Sequence, residues 1–116
     1  MKQEEIMLAA FGALAQATRM AVFRLLVRQG PQGLPAGEIA RRLGVPQNTL
    51  STHLAVLARG GLVTSRREGR RIIYAASMAG VRDMVLFLTR DCCAGRPEKC
   101  CELVDMLMPA QGEAAS

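Results

Sequence analysis

The four cysteines of this 116-residue chain form two adjacent pairs, Cys92-Cys93 and Cys100-Cys101, inside ten residues near the C-terminus. Thiolates are soft donors, and four of them this close can capture a soft ion or oxidise to disulfides. Arg90, Arg96 and Lys99 surround the group and favour thiolate over thiol, which primes both reactions. A structural zinc site usually spaces its thiols as C-x2-C to form a chelating turn, whereas adjacent cysteines suit a soft ion of low coordination number. The cysteines have no neighbouring histidine and form no C-x-x-C pair, and no phosphate-cradling loop occurs in the chain, so the pattern gives no support to an enzyme.

A second set of residues carries the chemistry of polyanion binding. Arg66, Arg67, Arg70 and Arg71 crowd around Glu68-Gly69, where they repel one another unless a partner bearing phosphates meets them. Upstream, Gln47, Asn48, Ser51 and Thr52, with Thr49 beside them, offer short amides and hydroxyls able to hydrogen-bond base edges in a major groove. Arg59, further along the same face, suits a phosphate. His53 is the only histidine and sits beside this face. It fits a backbone contact or a packed helix residue, since one histidine without partners cannot build a metal site.

Composition sets the frame for these residues. Fifteen Lys and Arg against ten acidic residues give +5 and a pI near 9.6, a balance that attracts nucleic acid. No apolar run approaches the roughly 20 residues that span a bilayer, and Met1-Lys2-Gln3-Glu4-Glu5 lacks the pattern of a signal peptide. A cytoplasmic location is expected, where cysteines serve as ligands or redox sensors more often than as structural disulfides.

Periodicity and punctuation predict the elements that position both sets. Met7, Ala10, Phe11 and Leu14 mark an amphipathic helix from about Glu4 to Gln16. Thr18 is placed to cap a second helix, which turns Val22, Phe23 and Leu26 inward and stops at Gly30-Pro31. A short third helix from Pro35 buries Ile39 and Leu43 and ends at Gly44. A fourth, from Pro46 to about Arg59, turns Leu50, Leu54 and Leu57 inward, so that these two form a helix-turn-helix. Leu62 to Arg67 and Arg70 to Ala75 form a hairpin around Glu68-Gly69. Ser77 caps a long helix with Val81, Met84, Val85 and Leu88 on one stripe that runs toward Cys92. Pro97 starts a short last helix in which Cys100, Leu103, Val104 and Leu107 share a face. The expected fold class is mainly α with a small β-hairpin: a dimeric winged helix-turn-helix. It forms one DNA-binding and dimerisation domain over 1–109, with a cysteine sensor segment at 90–108 and a flexible tail at 110–116. The two apolar stripes of the first and long helices exceed what one small core needs, which points to a homodimer.

Leu14-Ala15-Gln16-Ala17-Thr18-Arg19-Met20, Gly37-Glu38-Ile39-Ala40, Thr49 through Leu57 and Gly60-Gly61-Leu62-Val63 together resemble the ArsR/SmtB family of small winged-helix repressors. The resemblance covers roughly Ile6 to Leu88. It implies a homodimer built largely through the first and last helices, bound to double-stranded operator DNA at an imperfect inverted repeat until an inducer releases it. Gln16-Ala17 departs from the Asp-Pro usual between the first helices of the family, which predicts an altered junction there. The segment from Pro35 to Leu43 lacks the Cys-x-Cys of well-known arsenic sensors of the family, and the long helix offers Asp83 but no histidine for a zinc site.

The inducer is therefore argued from the thiols. Trivalent arsenic is pyramidal, three thiolates fill its bonding positions, and softness selects thiolate over imidazole or carboxylate. Cys92 and Cys93 fall at the end of the long helix, roughly 100° apart around its axis, and the Ala94-Gly95-Arg96 turn brings Cys100 back toward them. Cys92, Cys93, Gly95, Pro97, Glu98 and Cys100 also resemble the Cys-Cys-x-Gly-x-Pro-Glu-x-Cys tail of some arsenical-responsive family members. Cys101 is a further thiol, an alternative ligand or a passenger. The expected inducer is arsenite or methylarsenite, with antimonite also open. A thiol-based redox or reactive-sulfur sensor on the same fold is the alternative.

Overall fold

The computed structural model describes residues 2–90. The four cysteines, the helix expected from Pro97 and the expected tail lie outside the described residues. Elements follow in the order α1 (Lys2–Leu14), α2 (Ala17–Gln29), β1 (Leu34–Pro35), α3 (Ala36–Leu43), α4 (Gln47–Arg59), β2 (Val63–Glu68), β3 (Arg71–Ala76) and α5 (Met78–Thr89). The three strands make one antiparallel sheet in the order β1-β3-β2. Among the described residues no single helix is long and apolar enough to cross a membrane.

One compact unit extends to Met84, and its core is aliphatic. Val22, Leu26, Ile39, Leu50, Leu54, Leu57 and Leu62 are sealed from water, and no polar or charged residue is buried among the described residues. Each such side chain contributes about 1.5 to 3 kcal/mol relative to exposure, which outweighs the modest propensities of helices as short as α3. Glu4 and Glu5 in the first turn of α1 complement the helix dipole.

The α1–α2 junction differs from the expectation. α1 ends at Leu14, and Gln16, extended at φ −158° and ψ 134°, is the N-cap of α2. Its Oε1 accepts from the Arg19 amide at 2.8 Å, so Gln16 satisfies the orphan N–H that Thr18, already inside the helix, cannot reach. The Gln that departs from the family's usual Asp thus still caps. Pro35 and Pro46 likewise stand at N-cap positions, one residue before their helices, because their ψ values of 156° and 143° are extended. Gly44 ends α3 in the left-handed region, as expected.

The stripe expected on α1 is used differently. Met7 and Ala10 are buried together with Ala13, while Phe11 and Leu14 are half-buried. The small residues point inward because α1 meets the end of α4 closely: a Cβ on Gly60 would sit 3.2 Å from Ala13 Cβ and 3.3 Å from Ala10 Cα. Ile6 and Leu8 stay more than half exposed. On α3, Ala40 is buried beside Ile39, and Leu43 is half-buried.

The hairpin is shifted by one residue from its expected place. Glu68 pairs with Arg71, so the turn residues are Gly69 and Arg70. β1 was not expected; Leu34 pairs with Tyr74 and Pro35 with Ile73. Its approach to β3 requires glycine beside it, since Gly33 has φ 68° and a Cβ there would overlap the Tyr74 carbonyl oxygen and lie 2.9 Å from Ile73 Cγ2. Ser77 caps α5 as expected, its Oγ accepting from the Gly80 amide at 3.2 Å, and its own amide donates to Leu62 O at 2.8 Å. Of the α5 stripe, Met84 is buried, Val81 and Val85 are half-buried, and Leu88 is 67% exposed. Within the second unit, from Val85 onward, Thr89 Oγ1 donates to Val85 O at 2.8 Å and the Arg90 guanidinium lies 5.0 Å from the Phe87 ring centre.

Gly33→Ala is expected to destabilise the fold by about 1 to 3 kcal/mol through backbone strain alone, with further loss from the overlap. Urea denaturation measures it; a midpoint equal to wild type would contradict the close β1–β3 approach.

Candidate nucleic-acid interface

Because Leu50, Leu54 and Leu57 are inward, the opposite face of α4 is fixed outward. Gln47, Asn48, Thr49, Ser51, Thr52 and Arg59 are all exposed on it or beside it, as the sequence placed them. Local hydrogen bonds decide what each can still offer. Asn48 Oδ1 accepts from the Thr49 amide at 2.9 Å, one of the N–H groups a helix start leaves unpaired, so the Asn48 NH2 remains as donor. Ser51 Oγ donates to Gln47 O at 3.1 Å, which leaves its lone pairs to accept. The face therefore carries both donor and acceptor groups, the requirement for distinguishing base edges.

The hairpin projects as a wing. Along β2 only Val63 is buried, and along β3 only Ile73 and Ala75. Its four arginines divide by role. Arg66 pairs with Glu68 at 2.8 Å and donates to the carbonyls of Pro31 and Gln32 at 3.2 and 2.8 Å, so it fastens the wing to the chain before β1. Arg67, Arg70 and Arg71 make no hydrogen bond or ion pair among the described residues and are exposed. Arg70 and Arg71 join Gln47 and the first residues of α3, Ala36, Gly37 and Glu38, around an open cleft of about 520 Å³. No local pattern announces this cleft, since the start of α3 and the tip of the wing, far apart in the chain, must meet to form it.

Two further cations near the cleft share one carboxylate within α3. Glu38 hydrogen-bonds Arg41 and, at 2.8 Å, Arg42, and these guanidiniums hold its carboxyl below the usual glutamate value. One carboxylate leaves α3 with a single positive charge, beside the unpaired Arg67, Arg70 and Arg71 of the wing. His53 is half-buried on the flank of α4, with Nδ1 3.4 Å from Arg19 Nη1. The described residues contain no group of three His, Cys, Asp or Glu that could hold a metal ion, and Cys92, Cys93, Cys100 and Cys101 lie outside them.

A Helix-turn-helix domain family matches residues 14–66. The chain is 36% identical over 81 residues to the transcriptional activator HlyU of Vibrio cholerae, covering 70% of this chain and 72% of that one. It superposes with a TM-score of 0.72 on an ArsR-like transcriptional regulator from Rhodococcus sp. RHA1, at 25% identity over 92% of this chain and 96% of that one. The homodimeric winged helix-turn-helix DNA-binding domain of Mb0332 from Mycobacterium bovis, a possible ArsR-family regulator, matches with a TM-score of 0.62 at 31% identity, over 73% and 77% of the two chains.

The division of labour predicts separable mutant effects. Arg70→Ala or Arg71→Ala weakens binding to all duplexes alike and lowers the salt slope by about 1, whereas Asn48→Ala or Ser51→Ala relaxes preference at particular base pairs by about 1 to 3 kcal/mol. Arg66→Ala lowers the thermal midpoint, which Arg70→Ala leaves unchanged. Anisotropy titrations on matched and scrambled duplexes, with thermal melts, distinguish the three; equal sequence dependence for the wing and helix variants would contradict the assignment.

Proposed function

The chain belongs to the ArsR/SmtB family of winged helix-turn-helix transcriptional regulators, and on that premise we propose that it is a repressor that leaves its operator when trivalent arsenic binds its C-terminal thiolates. Cys92, Cys93 and Cys100 are the ligands, and Cys101 is a spare or alternative thiol. The observation that carries this reading is the pair of vicinal cysteine pairs within ten residues, in a chain whose residues 1–91 contain no cysteine at all. Any thiol chemistry of the chain must therefore come from the segment that follows α5 in the sequence. Three soft donors match the three bonding positions of trivalent arsenic, and the only histidine is held in α4 by Arg19.

The repressor acts as a homodimer on an imperfect inverted repeat. Two α4 helices read successive major grooves when they stand about one helical turn, roughly 34 Å, apart. In the described chain Ile6 and Leu8 of α1 are exposed although large and apolar, and a partner copy covers them. The stripe of Met7, Ala10 and Ala13 is consumed by the chain's own core, and Ile6 and Leu8 flank Met7 on opposite sides, so the partner copy meets α1 along the flanks of that stripe. Capture of arsenic reorders the C-terminal ends and disfavours the DNA-compatible spacing; a coupling of about 1 to 3 kcal/mol suffices for such a switch.

Two experiments test this. Ile6→Asp with Leu8→Asp is expected to shift the sedimenting species from dimer to monomer with the thermal melt retained; an unchanged dimer overturns the α1 face. Cys92→Ser, Cys93→Ser or Cys100→Ser leaves a hard hydroxyl at a soft centre, so arsenite no longer releases DNA while DNA binding persists. Cys101→Ser has a smaller effect, and X-ray absorption of the arsenite complex shows three sulfur neighbours. Release at wild-type arsenite concentrations by the Cys93 and Cys100 variants sinks the site, and release that needs an oxidant and tracks disulfide formation assigns the switch to redox chemistry.

A further inference from the structure

α4 is joined to α1 by a side chain from neither helix. Arg19, in the first turn of α2, donates from Nε to Ala13 O at 2.7 Å and presents Nη1 to His53 Nδ1 at 3.4 Å. Its own amide is held by Gln16, so the root of the side chain is fixed as well as its tip. Ala13 O belongs to the last turn of α1, where carbonyls lack intrahelical partners and a cation is favoured; α1 itself has no basic residue there. Arg19 supplies that charge from the next helix. The contact lies on the flank of α4, while at its C-terminal end Gly60 lets the α1 and α4 backbones touch.

The chemistry of the pair is one-directional. A guanidinium has donors and no acceptor, so a hydrogen bond between the two requires the tautomer with a bare Nδ1 and its proton on Nε2. The half-buried position of His53, beside the exposed Asn48 and Thr52, places it at the edge of the reading face.

We propose that Arg19 is a positioning residue for DNA recognition: it braces the reading helix against the end of α1 through His53, which receives the brace and does not read DNA. This rests on the DNA-binding role of α4 and the wing given above. The brace holds the pitch of α4 relative to α1. Since α1 carries the proposed dimer face, Arg19 also links the spacing of two copies to the aim of each reading helix.

The test combines a DNA-free readout with binding. Nitrogen NMR of the only histidine needs no assignment and, in alkaline buffer, is expected to show a bare Nδ1 and a protonated Nε2 in wild type, and a mixture of tautomers in Arg19→Gln. Arg19→Gln and His53→Leu are each expected to weaken operator binding about tenfold, with the double variant no worse than either single one, as for two members of one unit. The salt slope stays unchanged, because no phosphate contact is lost. His53→Gln, which keeps an acceptor for the guanidinium, restores most of the affinity. Arg19→Lys keeps the charge at the end of α1 but cannot bridge both partners, so it folds as wild type and still loses affinity. Additive losses in the double variant, a slope lowered by about 1 in Arg19→Gln, or an unchanged tautomer would overturn the brace. If Asn48 and Arg70 variants bind as wild type while the tautomer responds to Arg19, the DNA face is misplaced and the Arg19–His53 contact stands.

Discussion

Leu50, Leu54 and Leu57 are almost wholly removed from water, and the geometry of everything functional follows from that seam. A helix that buries one stripe has no freedom to rotate, since turning it by one residue would exchange Leu50 for Thr49 or Ser51 in the core. Burying such a hydroxyl without a partner costs about 1 to 3 kcal/mol, on top of the burial lost by the leucine. The reading face is therefore specified by what the opposite face cannot tolerate. The wing inherits its position from the same core, through Leu62 and Val63 at the base of β2 and through Ser77, whose amide returns to Leu62.

Periodic and punctuating residues made most of this legible from sequence. The leucine stripe of α4, Gly44 at the end of α3 and Ser77 at the start of α5 act through local rules and fell where those rules put them. What escaped was decided by long-range contact. β1 is two residues long and exists because β3 offers it an edge, so no propensity in Leu34-Pro35 could announce it. Ala13 replaces Phe11 in the seam because α1 and α4 approach until only small residues fit, a distance set jointly with Gly60. Gln16 caps where Thr18 has the better intrinsic propensity, since the cap goes to whichever oxygen stands outside the first turn. The arginine cluster of the wing was visible, but its split into a structural Arg66 and unpaired Arg67, Arg70 and Arg71 required the carbonyls of Pro31 and Gln32 to be in place.

The division of the arginines bears on the energetics of DNA binding. Like charges around one turn repel, and exposed pairs recover little when screened by salt at a Debye length of about 8 Å. Arg66 escapes the repulsion by serving the fold, and Arg41 and Arg42 by serving Glu38. Of the three arginines that remain unpaired on the wing, Arg70 and Arg71 line the cleft with Gln47, where phosphates of a bound duplex would relieve their mutual repulsion. The wing arginines and the polar face of α4 thus stand on separate elements held in one register by the core, as separate phosphate and base contacts would require.

That rigidity limits how an inducer could act on the chain. Displacing α4 within its own domain means opening the leucine seam, and losing even one such contact costs about 2 to 5 kcal/mol. A coupling of about 1 to 3 kcal/mol between inducer and DNA cannot reliably meet that cost. In the proposed homodimer the softer coordinate is the arrangement of the two copies, because a small rotation at the proposed α1 face would change the separation of the reading helices without disturbing either core. With α1 as the proposed dimer face, bracing α4 to α1 through Arg19 and Gly60 would make this coordinate effective: each reading helix would follow the dimer helix it is tied to, so a change at the dimer would reach the operator as a change in spacing and not be absorbed inside the domain.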